Sequence, residues 1–159
     1  MPEPIEYTAV RALQTALLSI SVAGGYHYTV EAGAVKMDPN TDVESLIPPD
    51  GPRPFVVLEV QPERRTHEPA SQLLVNRTFT VYWVYRLSAE DASVDEAWMH
   101  AFFRGCADVE QAIESAQNAI GFTTLVQRCA GDQSFGSEVW AVIDVSMEDI
   151  RRTLGQPNA

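Results

Sequence analysis

A chain of 159 residues that is 45% hydrophobic and 21% charged has room for one sizeable core and is too apolar to stay disordered. Twenty-two Asp and Glu against eleven Lys and Arg leave a formal charge of -11. That balance excludes binding by wrapping nucleic-acid phosphates, and it excludes attachment to a membrane through a polybasic stretch.

The first predicted element is a helix from Glu6 to Val22, with Ile5, Ala9, Leu13, Ala16, Leu17 and Ile20 recurring every three or four residues. Gly24-Gly25 ends it. Tyr26 to Val30 alternates like a short strand, Glu31-Ala32-Gly33 turns, and Ala34 to Met37 extends again. Asp38 to Pro54 holds Pro48, Pro49, Pro52, Pro54 and Asp50-Gly51, the composition of a surface loop. Phe55 to Val60 is an almost continuous apolar strand. A second strand lies in Leu73 to Leu87, with Phe79, Val81, Trp83 and Tyr85 on one face and Thr80, Tyr82, Val84 and Arg86 on the other. The polar connection between them, Gln61 to Gln72, is too long for a tight hairpin turn and reads as an extended arm.

Ser93-Val94-Asp95-Glu96 has the form of a capping box and opens a helix running to Ile120. Its apolar stripe is Trp98, Phe102, Cys106, Val109, Ile113, Ala116 and Ile120, while Asp95, Glu96, Asp108, Glu110 and Glu114 fall largely off it. Gly121 is the stop. Two strands follow, Phe122 to Cys129 and Glu138 to Asp149, and Gly155 to Ala159 reads as a frayed tail. In the last strand Val139, Ala141, Ile143, Val145 and Met147 oppose Trp140, Val142, Asp144, Ser146 and Glu148. This order predicts a single α+β domain over residues 1–159: a mainly antiparallel sheet with two helices packed on one face, and an extended arm.

Catalytic patterns are weak. His27, His67 and His100 are far apart, and GxSxG, P-loop and GxGxxG motifs are missing. Glu63, His67 and Glu68 lie close together but match no recognised metal-ligand spacing. Cys106 and Cys129 form no CxxC and read as reduced core residues. Adjacent carboxylates such as Glu90-Asp91 need no catalytic explanation in a chain this acidic. The expectation is a protein that is not an enzyme and uses no cofactor or metal. No apolar run is long enough to cross a bilayer, and Met1-Pro2-Glu3-Pro4 lacks the basic start of a signal peptide, so synthesis and residence in a cytoplasm are expected.

A basic cluster stands out: Arg64 and Arg65, with Arg77 just after. On an acidic protomer such a patch invites contact with another copy. The candidate inter-subunit interface is Arg64, Arg65, His67 and Arg77 against Asp108, Glu110 and Glu114 of the long helix.

Several stretches carry a resemblance. They are the helix closing on Gly24-Gly25-Tyr26, the Pro-rich loop into Pro54-Phe55-Val56-Val57-Leu58-Glu59, and Arg77-Thr78-Phe79-Thr80-Val81-Tyr82-Trp83-Val84 behind a long extension. With them go Asp108-Val109-Glu110-Gln111-Ala112-Ile113 and the closing strand Val139-Trp140-Ala141-Val142-Ile143-Asp144-Val145. Together, in element order and length, they resemble the tail-terminator (tail-completion) proteins of long-tailed bacteriophages. The resemblance implies a structural virion protein, assembled in the host cytoplasm and forming a hexameric ring at the head-proximal end of the tail tube. Such a ring ends tube polymerisation and docks the tail to the head connector. Its implied partners are further copies of itself, the tail tube protein and a connector or stopper protein, with DNA passing through the lumen without specific binding. A neighbouring neck or tail-tube role, and a small ligand-binding domain or enzyme, are the alternative readings.

Overall fold

The computed structural model describes residues 5–61, 64–68, 72–91, 94–120, 124–128 and 137–152. Its elements are α1 (Ile5–Leu18), β1 (Ala32–Lys36), β2 (Phe55–Val60), β3 (Arg64–Glu68), β4 (Gln72–Arg86), α2 (Asp95–Ile120), β5 (Thr124–Arg128) and β6 (Glu138–Arg152). Short 3-10 turns occupy Val22–Gly24 and Val43–Leu46. The strands form one sheet in the order β1-β2-β4-β6-β5, with β3 also paired to β4. All pairings are antiparallel except β1 with β2. The fold is α+β.

Period-two alternation in β4 and β6 divides the sheet into two faces. Phe79, Val81, Trp83, Val139, Ala141, Ile143 and Val145 are buried on the inner face, under both helices. From α1 come Ala9, Leu13 and Leu17, and from α2 Phe102, Cys106, Val109, Ile113 and Ala116. Trp98 is half-buried at the margin, stacked on Phe102 with ring centres 5.4 Å apart. α2 crosses the sheet over Trp83, and Gly105 sits at the crossing. A Cβ there would lie 2.5 Å from two ring carbons of Trp83. Glycine in a helix interior ordinarily costs about 1 kcal/mol relative to alanine, but overpacking a core costs about 1–3 kcal/mol. Gly105→Ala is therefore expected to be destabilising by up to about 2 kcal/mol in urea denaturation. A stabilised variant would show that helix and sheet can separate at this point.

α1 ends at Leu18, short of the predicted Val22. The Ser19 amide donates to both Thr15 and Ala16 carbonyls, and the Ser19 hydroxyl also donates to the Thr15 carbonyl, so the last turn tightens. Ser21 caps the following 3-10 turn by accepting from the Gly24 amide, and Gly25 takes the left-handed conformation at φ 94°. Tyr26 to Val30 is not a strand. The predicted turn Glu31-Ala32-Gly33 is instead the start of β1, which runs parallel to β2 with Ala32 opposite Phe55 and Lys36 opposite Glu59.

A parallel pair needs a crossover connection, and the Pro-rich stretch supplies it. It is not merely a surface loop. Ile47 is buried with Phe55, Val57, Val84 and Trp140 in a second, smaller core on the outer face, where Val43 and Leu46 also pack. Arg53 fastens the connection to the end of the sheet, with its guanidinium 3.1 Å from Glu138 Oε1. Arg86 reaches the same oxygen at 3.2 Å and donates to the Pro49 carbonyl.

The arm predicted for Gln61 to Gln72 is largely strand. β2 and β3 lie in succession along β4, with Val60 opposite Phe79 and then Arg64 opposite Asn76 through to Glu68 opposite Gln72. Pairing therefore continues as far as Glu68, and Arg64–Glu68 is held by a ladder that its polar composition conceals. Ser93, Gly121, Cys129 and the tail from Gly155 lie outside the described residues. Among the described residues, no helix is long and apolar enough to cross a membrane.

Candidate assembly surface

β4 and β6 are each 15 residues long, about 50 Å of extended chain. They pair over their whole length, from Arg86 opposite Glu138 to Gln72 opposite Arg152. β2 flanks β4 only as far as Phe79, and β5 flanks β6 only as far as Met147. Beyond that point the sheet continues as a three-stranded blade: β3, residues 72–77 of β4 and residues 147–152 of β6. Among the described residues, β3 and this end of β6 have no strand on their outer sides. Among the described residues the blade therefore has two unpaired edges, each a row of backbone donors and acceptors that can accept a strand.

Charge is distributed unevenly along the same sheet. The blade strands carry Arg64, Arg65, Arg77, Arg151 and Arg152 against Glu68, Glu148 and Asp149, a net charge of +2. The rest of the chain keeps six bases and nineteen acids, a net charge of -13. Arg64, Arg65, His67 and Arg77 thus all stand on this three-stranded part of the sheet. Arg151 and Arg152, opposite Leu73 and Gln72, join them and were missed. The predicted last strand stopped at Asp149, and only the matched length of its partner shows that it continues.

The acidic half of the expected interface is corrected at one position. Asp108 is 1% exposed, so it cannot face a neighbour. Its Oδ1 accepts from the His27 amide and its Oδ2 from the Tyr28 amide, both at 2.9 Å. The carboxylate holds the segment after α1 against α2, and this pairing is why Tyr26 to Val30 needs no strand partner. Glu110 is half-buried and Glu114 exposed on α2. His27 and His100 are both exposed, His100 3.8 Å from Glu96 one turn earlier.

Two other features of the surface and sheet carry polar groups. A row of side chains crosses the outer sheet face in register: Lys36, Glu59, Thr80 and Asp144. Lys36 Nζ is 2.8 Å from Glu59, and Thr80 donates to Asp144 at 2.9 Å. These groups satisfy one another, as buried polar groups must. An open groove of about 720 Å³ lies between α1 and α2, lined by Tyr7, Arg11, Ala12, Thr15, Tyr26 and Ser115. Among the described lining residues the charged group is Arg11, which already donates to the Tyr7 hydroxyl at 3.0 Å. Among the described residues, no three His, Cys, Asp or Glu are grouped to hold a metal. The side chains of Glu63, His67 and Glu68 lie outside the description.

Two phenols, Tyr28 and Tyr82, are held above their ordinary value of 10.0. Burial raises Tyr28, with Tyr85 adding and Arg104 opposing. Burial also raises Tyr82, with Glu59 and then Asp144 adding. Because the unfolded phenols lose their protons first, stability is retained below pH 10 and falls as pH rises above it. Denaturation midpoints between pH 8.5 and 11 should show this loss, and Tyr28→Phe combined with Tyr82→Phe should flatten it. An unchanged slope would place both rings in water.

Compared with known protein families and with curated proteins, the chain matches none.

Proposed function

We propose that the chain is a ring-forming structural protein, a tail terminator of the kind its sequence resembles. In this reading the ring sits at the head-proximal end of a phage tail tube, stops its polymerisation and docks the head connector. The observation that carries the proposal is the blade: three paired strand segments that have no outer strand among the described residues and carry a net positive charge on an acidic chain. A heterologous contact that repeats head to tail closes into a ring when its rotation allows. Open edges and opposite charges at separate places on one protomer are what such a contact requires. The acidic body suits a conduit for DNA, since like charge opposes adsorption.

The test is Arg64→Glu with Arg65→Glu, followed by sedimentation velocity, circular dichroism and measurement of tail-tube lengths by electron microscopy. Exposed charge pairs contribute about 0.2–1 kcal/mol each, so two lost pairs weaken each contact about 2- to 30-fold. The expected variant is folded, assembles less well as salt rises, and leaves tubes overlong. A variant that assembles normally at every salt concentration and still caps tubes would remove these arginines from the interface.

A further inference from the structure

We propose that the outer face of α2, around Met99 and Phe103, is the seat on which the blade of a second copy docks. This rests on the ring reading and names the surface that receives the blade. Met99 and Phe103 are one helical turn apart, 46% and 53% exposed, with Ala107 continuing the row and Val94 exposed at the helix start. Other exposed large apolar residues of the described chain, such as Met37 and Val22, stand on separate elements. An apolar row on the solvent side of an otherwise polar helix face marks a contact surface.

Phe103 is also held in place. Its ring meets Phe102 edge-on at 5.2 Å, and Phe102 is stacked on Trp98 at 5.4 Å. An aromatic side chain fixed by a buried pair loses little freedom on binding, which is the property of an anchor.

Charge selects the occupant. Asp95 and Glu96 stand at one end of the row and Glu114 at the other, all exposed. The guanidinium on this stretch, Arg104, acts on the Tyr28 phenol, where it opposes the rise that burial causes. An apolar strip with acidic ends calls for an apolar surface edged with arginine. Within this chain the blade offers that combination by register: Val75 of β4 stands opposite Arg65, and Leu73, two positions away in the same alternate series, stands opposite Arg151. The sheet joins blade and body rigidly within one protomer, so the contact is made between copies.

The test has two stages. The unmodified protein is first shown to assemble by sedimentation velocity. The photo-cross-linker p-benzoylphenylalanine is then placed at position 103, and the product at twice the chain mass is digested with trypsin. The expected product joins the peptide containing position 103 to residues 66–77 or to residues 129–151 of another copy. Phe103→Asp, folded by circular dichroism, is expected to weaken assembly at least about tenfold. If the unmodified protein stays monomeric at every concentration, the ring reading and this docking surface fall together. If it assembles but position 103 cross-links elsewhere, or Phe103→Asp assembles unchanged, the ring reading stands and the docking surface is overturned.

Discussion

Trp83→Ala should lower the unfolding free energy by about 3–5 kcal/mol, the range for large aromatic truncations in a core. Trp83 is fully buried at the point where α2 crosses the sheet. Its ring centre lies 5.3 Å from Tyr28 and 5.6 Å from Tyr85, and Tyr28 and Tyr85 are 4.8 Å apart. The truncation would empty the space that Gly105 shapes on one side and that Tyr28 closes on the other. Little can collapse into it, because helix and strand are both fixed along their lengths. Trp83→Phe separates volume from polarity. The indole Nε1 is buried with no hydrogen-bond partner among the described residues, so phenylalanine removes an unsatisfied donor as well as volume and should cost clearly less. Urea denaturation of both variants checks this. A loss below about 1 kcal/mol for Trp83→Ala would show that the crossing point repacks freely.

Asp108→Ala should cost about 3–4 kcal/mol. Hydrogen bonds to a charged group contribute about 1.5–3 kcal/mol each, and the variant removes two at once. It leaves the amides of His27 and Tyr28 without acceptors in a partly buried place. Asp108→Asn is not a repair, since an amide offers one acceptor oxygen and turns its NH2 toward a backbone N–H. Denaturation gives the stability of each variant, and hydrogen exchange locates the damage. Protection should fall first at the amides of 27 and 28. A variant within about 1 kcal/mol of the parent would mean that water replaces the carboxylate without loss.

The two faces of β4 and β6 and the buried stripe of α2 were legible in the sequence, because period-two and period-3.6 patterns report burial directly. Phe79, Val81 and Trp83 needed nothing more. Three features resisted such reading. Asp108 falls among buried positions of α2, but its type suggested solvent, and the partners that justify its burial lie some eighty residues away. The strand Arg64–Glu68 is too polar to announce itself, and its pairing depends on the register of β4 rather than on its own composition. The Pro-rich connection shows a loop's composition, while its packing over Phe55 and Trp140 follows from the parallel pairing of β1 with β2. Of the candidate interface, the arginine cluster was legible and its extension through Arg151 and Arg152 was not. The apolar row of Met99 and Phe103 lies off the periodic buried stripe of the same helix, so the period-3.6 pattern does not announce it.

The measurement that bears most directly on the central claim is native mass spectrometry of the purified protein across a range of concentrations and salt. The account predicts one closed assembly of fixed copy number, six by the resemblance, that dissociates as salt rises and leaves no ladder of ever larger species. A strict monomer at every concentration, alone and with tail tubes added, would contradict it.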